Sequence, residues 1–454
     1  MKETNDVQLG EGSIGKWLLR LTIPAVVAQL INVLYNIVDR IFIGKIPEIG
    51  ATALTGVGVT FPLVMIIAAF SAFIGMGAAP LVSIKLGEKD QAGAEKILGN
   101  SVISLLLLSV ILTTVFQIFK EPLLLAFGAS TQTLPYAESY FTIYLYGTVF
   151  VQLALGLNTF ISAQGHANIA MFSVLIGAVL NTILDPIFIF GFHLGVKGAA
   201  LATILSQAAS AFWVMYFLLS SKSGLKIRRQ YFRLEGPLLR RVAFLGLAPF
   251  IMQSTESLVQ IVLNRNLQIY GGDLYVGAMT IIISVMQLFV MPVNGFAQGA
   301  QPLLSFNYGA KKIDRVRKAF RLVLLGSFGI ATAGCFLLVR FPTFFARFFT
   351  DAPALLQLTG YAMPIFMCGI FIFGAQVACQ VTFLSMGQAK ISIFLALLRK
   401  VILLIPLAII LPYFFGVNSI FYAEPIADIT AGITTISLFA YQFRRILARR
   451  CADV

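Results

Sequence analysis

Long apolar runs, broken at short intervals by basic and small residues, organise this chain from end to end. Runs of about 20 apolar residues are what a helix needs to cross a bilayer core. Twelve such runs can be read, over residues 17–43, 52–83, 96–119, 136–160, 169–192, 196–220, 240–270, 275–304, 316–340, 355–384, 391–415 and 418–443. Alternating segments of about ten residues, the mark of a membrane β-barrel, are missing. The pattern predicts an all-α integral membrane protein.

Polar positions inside those runs carry the chemistry. Residues 169–192 are almost without charge, yet Asn181 and Asp185 sit there at i and i+4, one helix face, with Pro186 directly after. A carboxylate at membrane depth is costly, so it faces a cavity or a partner and reads as functional. Proline removes a backbone donor and bends or ends the helix. The first run carries a stripe of the same kind: Asn32, Tyr35, Asn36 and Asp39, at i, i+3, i+4 and i+7. The plain alternative for Asp39 is a place near the outer membrane edge, paired with Arg40 or solvent. For Asn181 and Asp185 it is a hydrogen-bonded pair that only fixes helix packing. Thr203 in the sixth run offers a hydroxyl, although threonine often bonds its own helix backbone. Carboxylate, amide and hydroxyl oxygens together suit Na⁺ or a proton shared between two acids.

The second half spreads its polar groups differently. Gln253, Glu256 and Gln260 form a stripe in the seventh run, and Glu424 and Asp428 lie in the twelfth. These acids read as a surface attracting cationic cargo, with a helix–helix polar contact, or for Glu424 an outer rim, as the alternatives. Met286, Met291, Met363, Met367 and Phe371 would give an adaptable lining for varied hydrophobic substrates, or plain core.

Composition agrees with the pattern. Of 454 residues, 58% are hydrophobic and 11% charged, against about 25% charged in a soluble domain. The net charge of +14 sits in short connections. Counting Arg399 and Lys400 with the connections, 26 of the 33 basic residues fall on the side of the termini, which predicts both termini in the cytoplasm and no nucleic-acid partner. The N-terminal stretch is polar, with Glu3, Asp6 and Glu11, and no cleavable signal is expected. Cys335, Cys368, Cys379 and Cys451 have no metal or redox spacing, and His166 and His193 are isolated. No nucleotide-binding loop or potassium filter is present, so neither ATP hydrolysis nor a channel is indicated.

The halves repeat. Gly77, Pro80, Ser83 and Gly87 recur as Gly299, Pro302, Ser305 and Gly309, all shifted by 222, and Gly165 and Ala167 recur as Gly387 and Ala389. Pro24 in the first run has a counterpart in Pro249 in the seventh. Six runs separate equivalents, so the copies share one membrane orientation. Residues 1–220 form an N-lobe, 221–239 a basic linker, and 240–454 a C-lobe with a basic tail.

Together, Pro24 with Asp39 fifteen positions on, Asn181 with Asp185 and Pro186, and the repeated Gly-x-x-Pro motif make the chain resemble the multidrug and toxic compound extrusion (MATE) transporters over nearly its whole length. Residues 184–192 look most like the drug-exporting bacterial branch. The resemblance implies two six-helix bundles related by a pseudo-two-fold axis, forming a V around a central cavity. It implies export of organic cations or drugs through the plasma membrane by H⁺- or Na⁺-coupled antiport, with no enzymatic reaction, no cofactor, and a monomer in the lipid bilayer. It places Asp39, Asn181, Asp185 and Thr203 on an N-lobe cation site and Tyr35 and Asn158 near its cavity. Glu256 matches a C-lobe acid of some members, but where those carry a second acid this chain has Gln376. A flippase for lipid-linked precursors is the alternative of related architecture, and a receptor or scaffold the alternative from another class.

Overall fold

The computed structural model describes residues 9–452, and all regular structure among them is helical. Glu3, Asp6 and the side chain of Cys451 lie outside the described residues. The helices are α1 (Ile14–Gly44), α2 (Gly50–Gly87), α3 (Gln91–Ala126), α4 (Leu134–Tyr146), α5 (Thr148–Ala163), α6 (Ala167–Pro186), α7 (Val196–Leu219) and α8 (Gly236–Gly271). They continue with α9 (Asp273–Gly309), α10 (Ile313–Arg340), α11 (Pro342–Ala346), α12 (Pro353–Met367), α13 (Ile370–Ser385), α14 (Ala389–Leu397), α15 (Ile405–Phe415) and α16 (Ala423–Ala452).

Among the described residues, nine helical stretches are long and apolar enough to cross a bilayer, and two bent pairs bring the total to eleven. The fourth and tenth runs of the sequence are these bent pairs: α4 meets α5 at 59° and α12 meets α13 at 40°. Gly147 and Gly369, 222 residues apart, stand at the two breaks. A Cβ on Gly147 would run into Ile204 of α7, and one on Gly369 would sit 2.8 Å from the Cα of Pro425. Glycine at each break therefore lets a neighbouring helix approach closely. The twelfth run becomes α16, a 30-residue helix that carries Glu424 and Asp428.

The helices pack into two compact units. The first holds Leu9 and Val27–Phe250, and the second holds Gly10–Val26 and the chain from Ile251 onward. Two helices are thus divided between units, α1 after Val26 and α8 after Phe250, each just past its internal proline, Pro24 or Pro249. The repeated glycines explain the packing of these half-helices. Gly299 faces the first half of α1, where a Cβ would lie 2.7 Å from the Cα of Thr22. Gly77 faces the first half of α8, where a Cβ would lie 2.7 Å from the amide nitrogen of Gly246. Lipid tails are as apolar as leucine, so membrane helices associate through such close small-residue contacts rather than by escaping water.

Each unit has its own apolar core. Phe141, Leu63 and Ile67 are buried in the first, and Phe366, Phe421 and Leu267 in the second. Large side chains such as Phe212, Ile118, Tyr413 and Phe415 point outward. Exposed phenylalanines of this kind would be a liability in water and are satisfied by lipid.

The basic linker is folded onto the first unit. Gln164, buried at the end of α5, accepts hydrogen bonds from the Ser223 hydroxyl and the Leu225 amide, both at 3.0 Å. Glu235 pairs with Lys96 at 2.8 Å, and Arg228 pairs with Glu95 at 2.6 Å.

One charge assignment from the sequence is corrected. Arg399 and Lys400 do not lie in a connection. They occupy a wide π-helical turn, Leu398–Leu404, between α14 and α15 inside the eleventh span. Their side chains are 12% and 7% exposed. Three carboxylates compensate them there, which is what makes cations tolerable at that depth.

Candidate functional site

The first unit gathers the polar residues of α1, α5, α6 and α7. The second half of α1 carries Asn32, Tyr35 and Asp39 along one face, and α6 carries Asn181 and Asp185 one turn apart. Pro186 closes α6, and a π-helical turn, Ile187–Gly191, follows. Asp185 is fully buried and Asn181 is 2% exposed. The Asn181 amide donates to Asp185 Oδ1 at 3.1 Å. Asp39 and Asp185 interact side chain to side chain, and Tyr35 stands beside both acids. The Arg40 guanidinium lies 4.7 Å over the Phe61 ring and still acts on Asp39 through space. Among the described residues no salt bridge reaches Asp39 or Asp185.

Beside the acids lies a cavity with about 30 Å³ of water-sized room, lined by Asn32, Tyr35, Asn158, Asn181, Thr203, Ser206, Gln207 and Ser210, with Ala154, Leu155, Val174 and Ala178 between them. That is room for about two waters or one partly hydrated ion. Two of the three lining asparagines each commit one amide hydrogen. Asn158 Nδ2 donates to the Ala170 carbonyl at 3.3 Å, and Asn181 Nδ2 is taken by Asp185. Thr203 donates to the Ala199 carbonyl at 3.0 Å, so its hydroxyl hydrogen is occupied by its own helix. The buried atoms left without partners include Asn158 Oδ1, Asn181 Oδ1, Asp39 Oδ1, Asp185 Oδ2 and Ser206 Oγ. The two carboxylates, with the unpartnered amide oxygens of Asn158 and Asn181 beside them, favour a positive guest.

The structure adds residues that the sequence pattern did not single out. Tyr140 and Tyr144 of α4 are buried and stacked, with centroids 6.3 Å apart. Tyr140 contacts Thr203 and lies close to Asp39, while Tyr144 lies close to Tyr35. Their i,i+4 spacing was the available signal, but buried aromatics at that spacing are common in any core. Asn36 is not part of the cavity lining, and its amide donates to the Asn32 carbonyl at 2.6 Å.

The second unit differs. Glu424 and Asp428 are 5% and 2% exposed, so Glu424 is no outer rim. Arg399 binds both: Nη2 to Glu424 Oε1 at 2.8 Å and Nε to Asp428 Oδ1 at 2.5 Å. Glu256, half-exposed, pairs with Lys400. The expected open, cation-attracting acids are therefore compensated from within, because the π-helical turn aims two cations at them. Gln253 and Gln260 flank Glu256 on α8, both partly buried. Gln376 is 2% exposed, with Oε1 unpartnered. Met363 and Met367 are fully buried core, Met286 packs against that core, Met291 is partly buried, and Phe371 is 36% exposed.

The profile of the MatE family matches twice, over residues 24–187 and 249–410, and the two matches begin at the two helix prolines Pro24 and Pro249. The chain belongs to the MatE family. MatE members are transporters, so this chain is a multi-pass membrane transporter. It is similar to the multidrug export protein MepA of Staphylococcus haemolyticus, 26% identical over 431 residues, covering 94% of each chain. It is also similar to the outward-facing conformation of a multidrug resistance MATE transporter of the MOP superfamily, with a TM-score of 0.90, 25% identity and 99% of each chain covered. A MATE structure in a bent conformation matches with a TM-score of 0.92 at 24% identity, over 99% of this chain and all of that one.

Proposed function

We propose that this MatE transporter exports hydrophobic organic cations, drugs among them, across the plasma membrane, coupled to inward movement of H⁺ or Na⁺ at Asp39 and Asp185. The observation that carries this reading is the meeting of those two acids in the first unit, with no salt bridge to either among the described residues and with unpartnered acceptor oxygens beside them. Two carboxyl groups at contact hold a proton or a cation between them. Asn181 keeps Asp185 oriented, and Tyr35 and Thr203 supply further oxygens to a partly hydrated ion. The MepA proteins are named for multidrug export, which supports drugs as cargo. Basic residues in the connections support cytoplasmic termini. With Arg399 and Lys400 moved into the span, the bias is still 24 to 7.

Coupling follows from the division of α1. The half that carries Asp39 belongs to one unit, the half before Val27 belongs to the other, and Pro24 lies next to the change-over. Cation binding at Asp39 therefore acts on the helix shared by both units. To drive a two-state equilibrium from about 1:99 to 99:1, a ligand must bind one state about 10⁴-fold more tightly than the other. An ion that removes repulsion between two buried acids in one state alone is a source of such a difference.

The test uses purified protein in liposomes loaded with a lipophilic cationic dye, under an imposed proton gradient and then a sodium gradient. Gradient-driven dye movement that disappears in Asp185→Asn is expected, and the driving gradient names the ion. Uphill dye transport that persists in both Asp39→Asn and Asp185→Asn would refute the coupling. No dye movement under either gradient would favour anionic lipid-linked cargo.

A further inference from the structure

The two units compensate their buried acids in opposite ways. In the first, Asp39 and Asp185 face each other, each with an unpartnered oxygen. In the second, Glu424 and Asp428, one turn apart on α16, are bridged by a single guanidinium, that of Arg399. Its Cζ lies 4.7 Å from the centroid of the Phe373 ring of α13, which adds a cation–π contact to the two carboxylates. The next residue, Lys400, turns to Glu256 of α8. A π-helical turn spreads successive side chains more widely than an α-turn, which lets neighbours reach two different helices. The set holds three carboxylates against two cations, and this excess of negative charge retains the guanidinium.

We infer that Arg399 is a tethered counter-cation: it fills the acid pair of the second unit and denies it an exchangeable metal ion, leaving sodium binding to the first unit alone. A guanidinium stays charged at every pH the protein meets, so no proton loss frees the site. Sodium would have to break two charge-assisted hydrogen bonds and leave an arginine unpaired at 12% exposure. Because the competitor is covalently attached, its effective concentration far exceeds that of a free ion in bulk.

This inference rests on the reading that the first unit binds the coupling cation, and the experiment separates the two. Tm of the purified full-length transporter would be followed as NaCl replaces choline chloride at constant ionic strength and pH. Asp185→Asn silences the first unit and is expected to show no sodium-dependent shift. Adding Arg399→Gln is expected to create one, a rise of about 2 °C or more toward 200 mM sodium as the opened acid pair binds the ion. Replacing the arginine by lysine instead keeps a tethered cation and is expected to leave Tm flat. Adding Glu424→Gln and Asp428→Asn to Arg399→Gln should abolish the created response. A sodium response in Asp185→Asn itself, abolished by Glu424→Gln, would overturn the inference. So would a folded Asp185→Asn/Arg399→Gln protein without any response. If the arginine variant does not fold, the quadruple neutral variant and Asp185→Asn still decide the matter, since any sodium response lost between them belongs to the second unit. Equal gradient-driven transport by wild type and Asp185→Asn would refute the coupling reading and leave these sodium results standing.

Discussion

Arg399 and Lys400 are neighbours with the same charge, yet their loss should cost very different amounts. Arg399→Met would leave Glu424 and Asp428, 5% and 2% exposed, without their cation. Removing one partner from a buried ion pair costs about 3–5 kcal/mol, because the other charge stays buried and unpaired. Lys400→Met would leave Glu256, whose side chain is 46% exposed and can be solvated, so a cost of about 1 kcal/mol or less is expected. Methionine keeps most of the buried volume in both cases, which confines the difference to charge. A chain of 454 residues unfolds with an entropy of about 1 kcal/mol per degree on the globular-protein scale. Arg399→Met should then lower Tm by about 4 °C, and Lys400→Met by about 1 °C. Thermal unfolding in detergent, read by size-exclusion of a fluorescent fusion, measures both. Arg399→Met combined with Glu424→Gln and Asp428→Asn should recover most of the loss, since a neutral hydrogen-bonded set replaces the charged one. Equal losses from the two single variants, or no recovery in the triple variant, would refute this account of the second unit.

Three further outcomes follow from packing and capping. Gly299→Ala places a Cβ 2.7 Å from the Cα of Thr22 and should cost about 1–3 kcal/mol, while Gly329→Ala, with nothing within 4 Å, should change Tm little. Gln164→Leu orphans the Leu225 amide and should cost about 1–3 kcal/mol, with faster trypsin cleavage at Lys222 and Lys226 as the local readout. Asp90 caps α3 through the Gly93 amide at 2.8 Å, and Asp90→Ala should cost about 1 kcal/mol at neutral pH. The Lys85 ammonium beside Asp90, and then the Gly93 amide, hold its carboxyl below the usual carboxylate range. A depressed folded-state value stabilises above the unfolded value, about pH 4, and the benefit is lost as pH falls through the folded value. The Tm gap between Asp90→Ala and wild type should therefore close on acidification, and a gap independent of pH would count against the charge contribution.

Much of this transporter was legible in the sequence because the bilayer leaves few options. Backbone groups in hydrocarbon must be satisfied within the segment, so apolar runs become helices and their places along the chain can be read from the sequence. An acid at such depth announces itself, which is why Asp39, Asn181 and Asp185 stood out before any coordinates did. The repeat at a shift of 222 marked the paired architecture, and its glycines turned out to be helix contacts. Other features depended on partners far away in the chain. Arg399 read as a loop cation because Glu424 is 25 residues off and Glu256 lies 144 residues from Lys400. Only packing brings those acids to it. Tyr140 carries no sequence mark that separates it from an ordinary core tyrosine, and the breaks at Gly147 and Gly369 serve neighbouring helices rather than their own. The division of α1 and α8 between units likewise belongs to the tertiary structure: each changes unit just past its proline, and Gly299 and Gly77 let the first halves pack closely where they do.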